Sequence, residues 1–233
     1  MPCTLPASLA DAAVCRGSFH AVLGGEVEDT AFADFSAALQ KAQAEGRILT
    51  ASLFRYENHL FFYAEGLNRP FTPQGLCPAL DAALLPWPPA LGEAEPRPWA
   101  AMQPYFYHDV PTTAADWQQG RCPQRRRGRI ALLPPDSWCS YMEHHLRIVT
   151  EGLVEGDRWH LICVQEGVLF SYLEEPRTNV NIRHQPGAHS PELDAWIAAD
   201  PESHFARFTP EQKAHPDSSH NFVFLPRIAG TED

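Results

Sequence analysis

Leu169-Phe170-Ser171-Tyr172-Leu173-Glu174 repeats, 109 residues downstream, the stretch Leu60-Phe61-Phe62-Tyr63-Ala64-Glu65. Both copies are rich in the aromatic and apolar residues that suit a strand, so each reads as one strand of a sheet. The recurrence of Leu-Phe-x-Tyr-x-Glu means that one small unit is used twice. The same offset lays His20-Ala21-Val22-Leu23 on Arg129-Ile130-Ala131-Leu132, and Leu80-Asp81-Ala82-Ala83 echoes Leu193-Asp194-Ala195-Trp196. Each copy closes on an aromatic strand, Tyr105-Phe106-Tyr107 or Phe222-Val223-Phe224.

Around the second signature, Arg129 to Leu133 reads as a short apolar strand halted by Pro134-Pro135. Asp136 or Ser137 can then cap a helix. Trp138, Tyr141, His145, Ile148, Val149, Gly152 and Leu153 follow at three- and four-residue steps and form its apolar face. Gly156 is expected to end it. Trp159 to Val164 and Val168 to Glu174 make a hairpin about Gln165-Glu166-Gly167. Pro176 to Ser190 is a polar loop, Pro191 to Ile197 a second helix, Asp200 to Phe208 a short third one, and Asn221 to Leu225 the last strand. The first copy has the same order: Phe19 to Leu23, Ala31 to Glu45, Ile48 to Arg55, Leu60 to Glu65, Leu80 to Leu84 and Pro104 to Tyr107, with Pro86 to Pro98 as a surface insert.

That order is β-α-β-β-α-β, the ferredoxin-like arrangement. The expected fold class is therefore α+β: two tandem ferredoxin-like (βαββαβ) repeats packed as a pseudo-dimeric α/β barrel, each sheet covering the apolar face that the other leaves open. The expected boundaries are residues 18-110 for a degenerate first repeat, 111-128 for a linker, and 129-226 for a second repeat that carries the function. The Arg125-Arg126-Arg127 run is taken as part of a solvated linker.

The chain of 233 residues carries a net charge of −11, which argues against nucleic acid or an anionic membrane surface as its partner. No stretch approaches the roughly 18 apolar residues of a spanning helix. Met1 to Gly17 is a poor secretory signal. The six cysteines include no C-x-x-C pair, which suits a reduced, cytoplasmic protein better than a disulfide framework or a zinc knuckle.

The copies differ where chemistry could sit. Tyr141 and His145 in the second copy align with Phe32 and Ser36 in the first. Four residues apart on a helix, the pair can share one small pocket. Tyr141-x-x-x-His145, Leu169-Phe170-x-x-x-x-Glu174, Trp196 and the ending Val223-Phe224-Leu225-Pro226 together resemble the sugar mutarotases of the L-rhamnose mutarotase type, small dimeric α/β-barrel proteins. The resemblance runs from about Arg129 to Pro226, and the whole chain looks like such a dimer fused into one polypeptide. It implies His145 as general acid/base and Tyr141 as a sugar contact, with Trp159 in the place of a sugar-contacting tyrosine. The family's tandem tryptophans fall near His204-Phe205 and are not retained, which leaves the sugar undefined.

On this reading the protein is an isomerase of carbohydrate metabolism that interconverts the α and β anomers of a small monosaccharide. A histidine titrating near neutrality would exchange protons with the ring oxygen and the anomeric hydroxyl, with no metal or other cofactor. Tyr172, Glu174, Trp196, His204 and Phe205 complete the expected substrate contacts, alongside Trp159. The chain would act as a monomeric pseudo-dimer or a homodimer. Two alternatives stand beside this one: a sugar-binding module without catalysis, and a haem-dependent or small-aromatic-oxidising protein of the same architecture with His145 as axial ligand or base. Copy one repeats Tyr63 and Glu65 without the histidine, so a structural role for Tyr172 and Glu174 is as open as a catalytic one.

Overall fold

The computed structural model describes residues 6–177, 183–213 and 216–231. The first copy supplies β1 (Val14–Val22), α1 (Asp29–Ala44), β2 (Ile48–Tyr56), β3 (His59–Leu67), α2 (Pro78–Ala82), β4 (Ala100–Ala101) and β5 (Gln103–Phe106). A short α3 (Ala114–Gln118) precedes the second copy. There follow β6 (Arg125–Leu132), α4 (Pro135–Glu151), β7 (Val154–Glu155), β8 (Leu161–Gln165), β9 (Val168–Glu175), β10 (Arg183–His184), α5 (Pro191–Ala198), β11 (Val223–Leu225) and β12 (Arg227–Gly230). The fold is α+β, with antiparallel sheets and few helices. No helix among the described residues is long and apolar enough to cross a membrane.

The chain divides into two compact units. One comprises Met1–Met102, Pro111–Pro123 and Pro226–Asp233; the other comprises Gln103–Val110 and Gln124–Leu225. Their sheets run β12-β2-β3-β1-β4 and β11-β6-β9-β8-β5. Four strands of each sheet have the ferredoxin-like order, and the fifth comes from the end of the other copy. The closing segment of each copy is thus split. Ala100–Ala101 stays beside β1 while Gln103–Phe106 joins β8; Val223–Leu225 stays beside β6 while Arg227–Gly230 joins β2.

The repeated signature is a buried polar clamp. In β3 the Tyr63 hydroxyl donates to Glu65 Oε1 at 2.7 Å, and in β9 the Tyr172 hydroxyl donates to Glu174 Oε1 at 2.6 Å. Arg121 binds both oxygens of Glu65, at 2.7 and 2.8 Å, and Arg126 approaches Glu174 at 3.6 Å. Burial pushes the Glu65 carboxyl up, but Arg121 and Arg16 outweigh it and hold the group below its ordinary value. A buried carboxylate needs such partners, and the clamp keeps both glutamates in structural use.

Several expectations change with the coordinates. Arg125-Arg126-Arg127 opens β6 and is no solvated linker: its side chains pair with Glu175, Glu174 and Asp217 along the sheet. Opposite Glu65 stands Arg16, and opposite Glu174 stands Arg126, so the first strands of the copies superimpose with a shift of 110 rather than 109. Phe19, not His20, is therefore the counterpart of Arg129. The long helix stops at Glu151, where Gly152 takes a left-handed φ of 68° and its N–H reaches Ile148 O at 3.2 Å. Gly156 lies beyond the helix. β8 starts at Leu161, leaving Trp159 outside the strand, and Asp200 to Phe208 contains only a single 3₁₀ turn, Pro201–His204. Of the loop from Pro176 to Ser190, residues 178–182 lie outside the described residues.

The two cores are filled differently. In the first unit Phe32, Phe35, Leu39 and Ala42 of α1 pack on the sheet, with Phe62 against Phe35 and Trp99 at ring separations of 5.8 and 6.2 Å. Each such phenylalanine contributes about 1.5–3 kcal/mol by leaving water. In the second unit Ser171 stands where Phe62 stands in the first, and Arg129 where Phe19 stands. Two aromatic plugs are thereby replaced by smaller or polar groups.

Candidate active site

The helix-facing side of the second sheet opens into a cavity of about 470 Å³, within the range of small-molecule sites. His145, Tyr141, Trp196 and Phe205 line it, together with Phe106, His108, Arg129, Asp157, His160, Arg177 and Phe222. A larger and more open groove of about 650 Å³ runs along the outer face of α4 past Trp138, Met142 and Leu146, but no buried titratable group faces it.

The helix geometry sets His145. Its Nδ1 lies 2.9 Å from the Tyr141 carbonyl, one turn earlier, so Nδ1–H donates there and Nε2 keeps the lone pair. Nε2 makes no hydrogen bond among the described residues. Four aromatic rings surround the imidazole: Tyr141 at 4.3 Å, Trp196 at 4.7 Å, Phe106 at 4.9 Å and Tyr105 at 5.5 Å between centroids. Burial in this cage lowers its pKa to about 4, and the carbonyl acceptor offsets only part of the effect. The expectation of a histidine titrating near neutrality is corrected accordingly. At pH 7 the ring is neutral and available as an acceptor.

The other polar groups are poised by the same burial. It raises Tyr141 to about 12 and Tyr105 well above its ordinary value, so both stay protonated at neutral pH and keep a hydroxyl proton to donate. The Tyr105 hydroxyl is buried beside that of Tyr141, whose proximity adds to the rise. Arg129 is lowered by burial to about 10 and remains a cation. Its guanidinium lies over the Phe222 ring at 4.3 Å. Arg177 Nε binds Asp157 at 3.1 Å. Burial also lowers His108, which packs so closely on Gly156 that a Cβ there would come within 1.8 Å of the imidazole. A side chain at that place would displace the imidazole.

Of the residues expected from sequence, His145, Tyr141, Trp196 and Phe205 meet at the cavity. His204 packs on the Tyr141 and Trp196 rings at 5.9 and 5.4 Å, with Nε2 3.3 Å from Ser140 Oγ, and does not line it. Trp159, Tyr172 and Glu174 lie elsewhere. By strand alternation Tyr172 and Glu174 project to the face of β9 opposite Leu169 and Ser171, where the clamp holds them. Sequence reading missed Phe106, His108, Arg129, Asp157, His160, Arg177 and Phe222. Phe106 belongs to the first copy by order and to the second unit by pairing, which no local pattern announces. Among the described residues no group of three or more His, Cys, Asp or Glu side chains is placed to hold a metal ion.

No protein-family model and no curated protein matches the sequence. Solved structures of similar fold include a putative monooxygenase from Lactobacillus acidophilus, with TM-score 0.40 and 7% identity over 94% of this chain and 96% of that one. Another of the same description, from Fusobacterium nucleatum, has TM-score 0.39 and 8% identity over 94% of each chain. An anthrone oxidase-like protein has TM-score 0.37 and 7% identity over 94% and 92%. None is a sugar mutarotase. The resemblance to L-rhamnose mutarotases is corrected on this finding, and with it the assignment to isomerases and to carbohydrate metabolism. The cavity wall itself mixes aromatic side chains with the polar groups of His108, Arg129, His145, Asp157, His160, Arg177 and Glu202. The likeness itself is one of fold, at identities too low to carry an activity.

Proposed function

We propose that the second unit binds a small aromatic molecule with a weakly acidic hydroxyl or C–H group, and that His145 accepts its proton so that dioxygen can oxidise the resulting anion. One observation carries this reading: a neutral imidazole, its Nδ1–H fixed by a backbone carbonyl and its Nε2 unengaged, sits among four aromatic rings on the wall of a ligand-sized cavity. The rings of Trp196, Phe106 and Phe205 on the wall suit an aromatic ligand, through edge-to-face contacts.

A base whose conjugate acid has a pKa of about 4 is weak in the empty cavity. Its burial is the reason, and the same burial strengthens the attraction between imidazolium and the anion formed beside it. The proton is therefore taken more readily with substrate in place than without it. Tyr141, held protonated on the cavity wall, can donate to the developing oxyanion. For a phenol the balance is one phenol and one O2 giving one quinone and one water. One oxygen atom enters the ring and the other leaves as water, with the ring supplying the electrons.

The test is oxygen uptake with anthrone and a panel of hydroxylated naphthalenes, comparing wild type with His145→Gln. Wild type is expected to consume O2 above the buffer rate, and the variant to lose roughly 10²-fold or more of that rate while still quenching tryptophan fluorescence on ligand addition. Equal rates in the two proteins would overturn the role given to His145.

A further inference from the structure

Resting on the aromatic-ligand reading, we propose that Arg129 is an anion-docking group and that the natural ligand of the cavity is an aromatic carboxylate. The pairing of the basic run isolates this residue. On β6, Arg125 binds Glu175 at 2.7 Å, Arg126 approaches Glu174 at 3.6 Å, and Arg127 binds Glu175 at 2.9 Å and Asp217 at 2.7 Å. Arg177, across the cavity lining, has Asp157 at 3.1 Å. Arg129 alone of these five has no carboxylate and no hydrogen-bond partner among the described residues, and its Nε is fully enclosed. It nonetheless lines the cavity.

A partly enclosed cation without a carboxylate beside it is costly, and a fold keeps one where something else supplies the charge. Phe222 orients the guanidinium plane by stacking on it at 4.3 Å. A planar fork fixed in this way matches a carboxylate, whose two oxygens can accept parallel N–H bonds, better than it matches a single hydroxyl. The sheet register adds a second observation. The counterpart of Arg129 in the first unit is Phe19, opposite Phe62, in a filled core; in the second unit the arginine faces Ser171 beside a void. The charge therefore accompanies the cavity and is absent where the space is filled.

Equilibrium titration followed by tryptophan fluorescence, with 2-naphthoate and its neutral analogue 2-naphthamide, tests the idea without needing the natural ligand. Wild type is expected to bind the carboxylate roughly tenfold or more tighter than the amide. Arg129→Met is expected to abolish that preference while retaining the amide, and Arg125→Met, on the exposed part of the strand, to keep it. Equal binding of the two ligands by wild type overturns the charge inference alone. A preference that survives in Arg129→Met overturns it as well. Binding of neither ligand overturns the aromatic-ligand reading, and this inference with it.

Discussion

Lowering the pH from 7.5 to 5 offers the buried imidazole of His145 a proton that the folded state resists. Its pKa is about 4 in the fold against 6.5 for an ordinary histidine, and burial is the cause. Between those values the unfolded chain binds the proton and the native chain does not, so protons favour unfolding. The stabilisation is whole above 6.5 and is lost as the pH falls towards 4. With 1.36 kcal/mol per pH unit of difference, the full loss is about 3 kcal/mol, of which about 2 kcal/mol has gone by pH 5. Urea denaturation of wild type and His145→Gln at the two pH values isolates this contribution, because glutamine does not titrate. His59 and His108, also lowered by burial, contribute alike to both proteins and cancel. Trp196, whose ring is 4.7 Å from the imidazole, reports the transition by fluorescence. Wild type should lose about 2 kcal/mol more than the variant. Equal losses would refute the claim that His145 is held neutral by burial, and with it the basis for treating it as a base.

The clamp in the first unit makes a stability prediction. Glu65→Gln leaves the enclosed guanidinium of Arg121 without its charge partner and should cost about 3 kcal/mol in urea unfolding; a change below 1 kcal/mol would contradict the assigned ion pair. Ser171→Phe restores at the second unit the side chain that fills the first. It should abolish naphthoate binding at a stability change within about 3 kcal/mol of overpacking, and undiminished binding would show that the void beside Arg129 is not where ligand goes.

The order of elements in each copy was legible because strands and helices announce themselves by local period, and the repeated Leu-Phe-x-Tyr-x-Glu set the pairing of the copies. What escaped was non-local. Whether Tyr105-Phe106 pairs with its own copy or the other depends on hydrogen bonds to β8, for which alternation in the segment itself gives no signal. The arginine run was misread because a row of cations looks solvated until the opposing carboxylates of β9 are placed across from it. Tyr141 and His145 could be set on one helical face from spacing alone, but the depressed pKa of His145 follows from Phe106 and Trp196, which arrive from distant segments. The sugar chemistry rested on scattered single residues, and four of the six expected as substrate contacts, Trp159, Tyr172, Glu174 and His204, do not line the cavity.

The crossed tails have a practical consequence for anyone dissecting the protein. A fragment cut at the midpoint, starting from Gln124, lacks Gln103–Phe106 and so bares the hydrogen-bonding edge of β8, a template for self-association. It also lacks Phe106, one wall of the imidazole cage. Neither half is a portable module. Covalent linkage fixes the stoichiometry of the exchange, so each sheet always finds the strand that completes its edge.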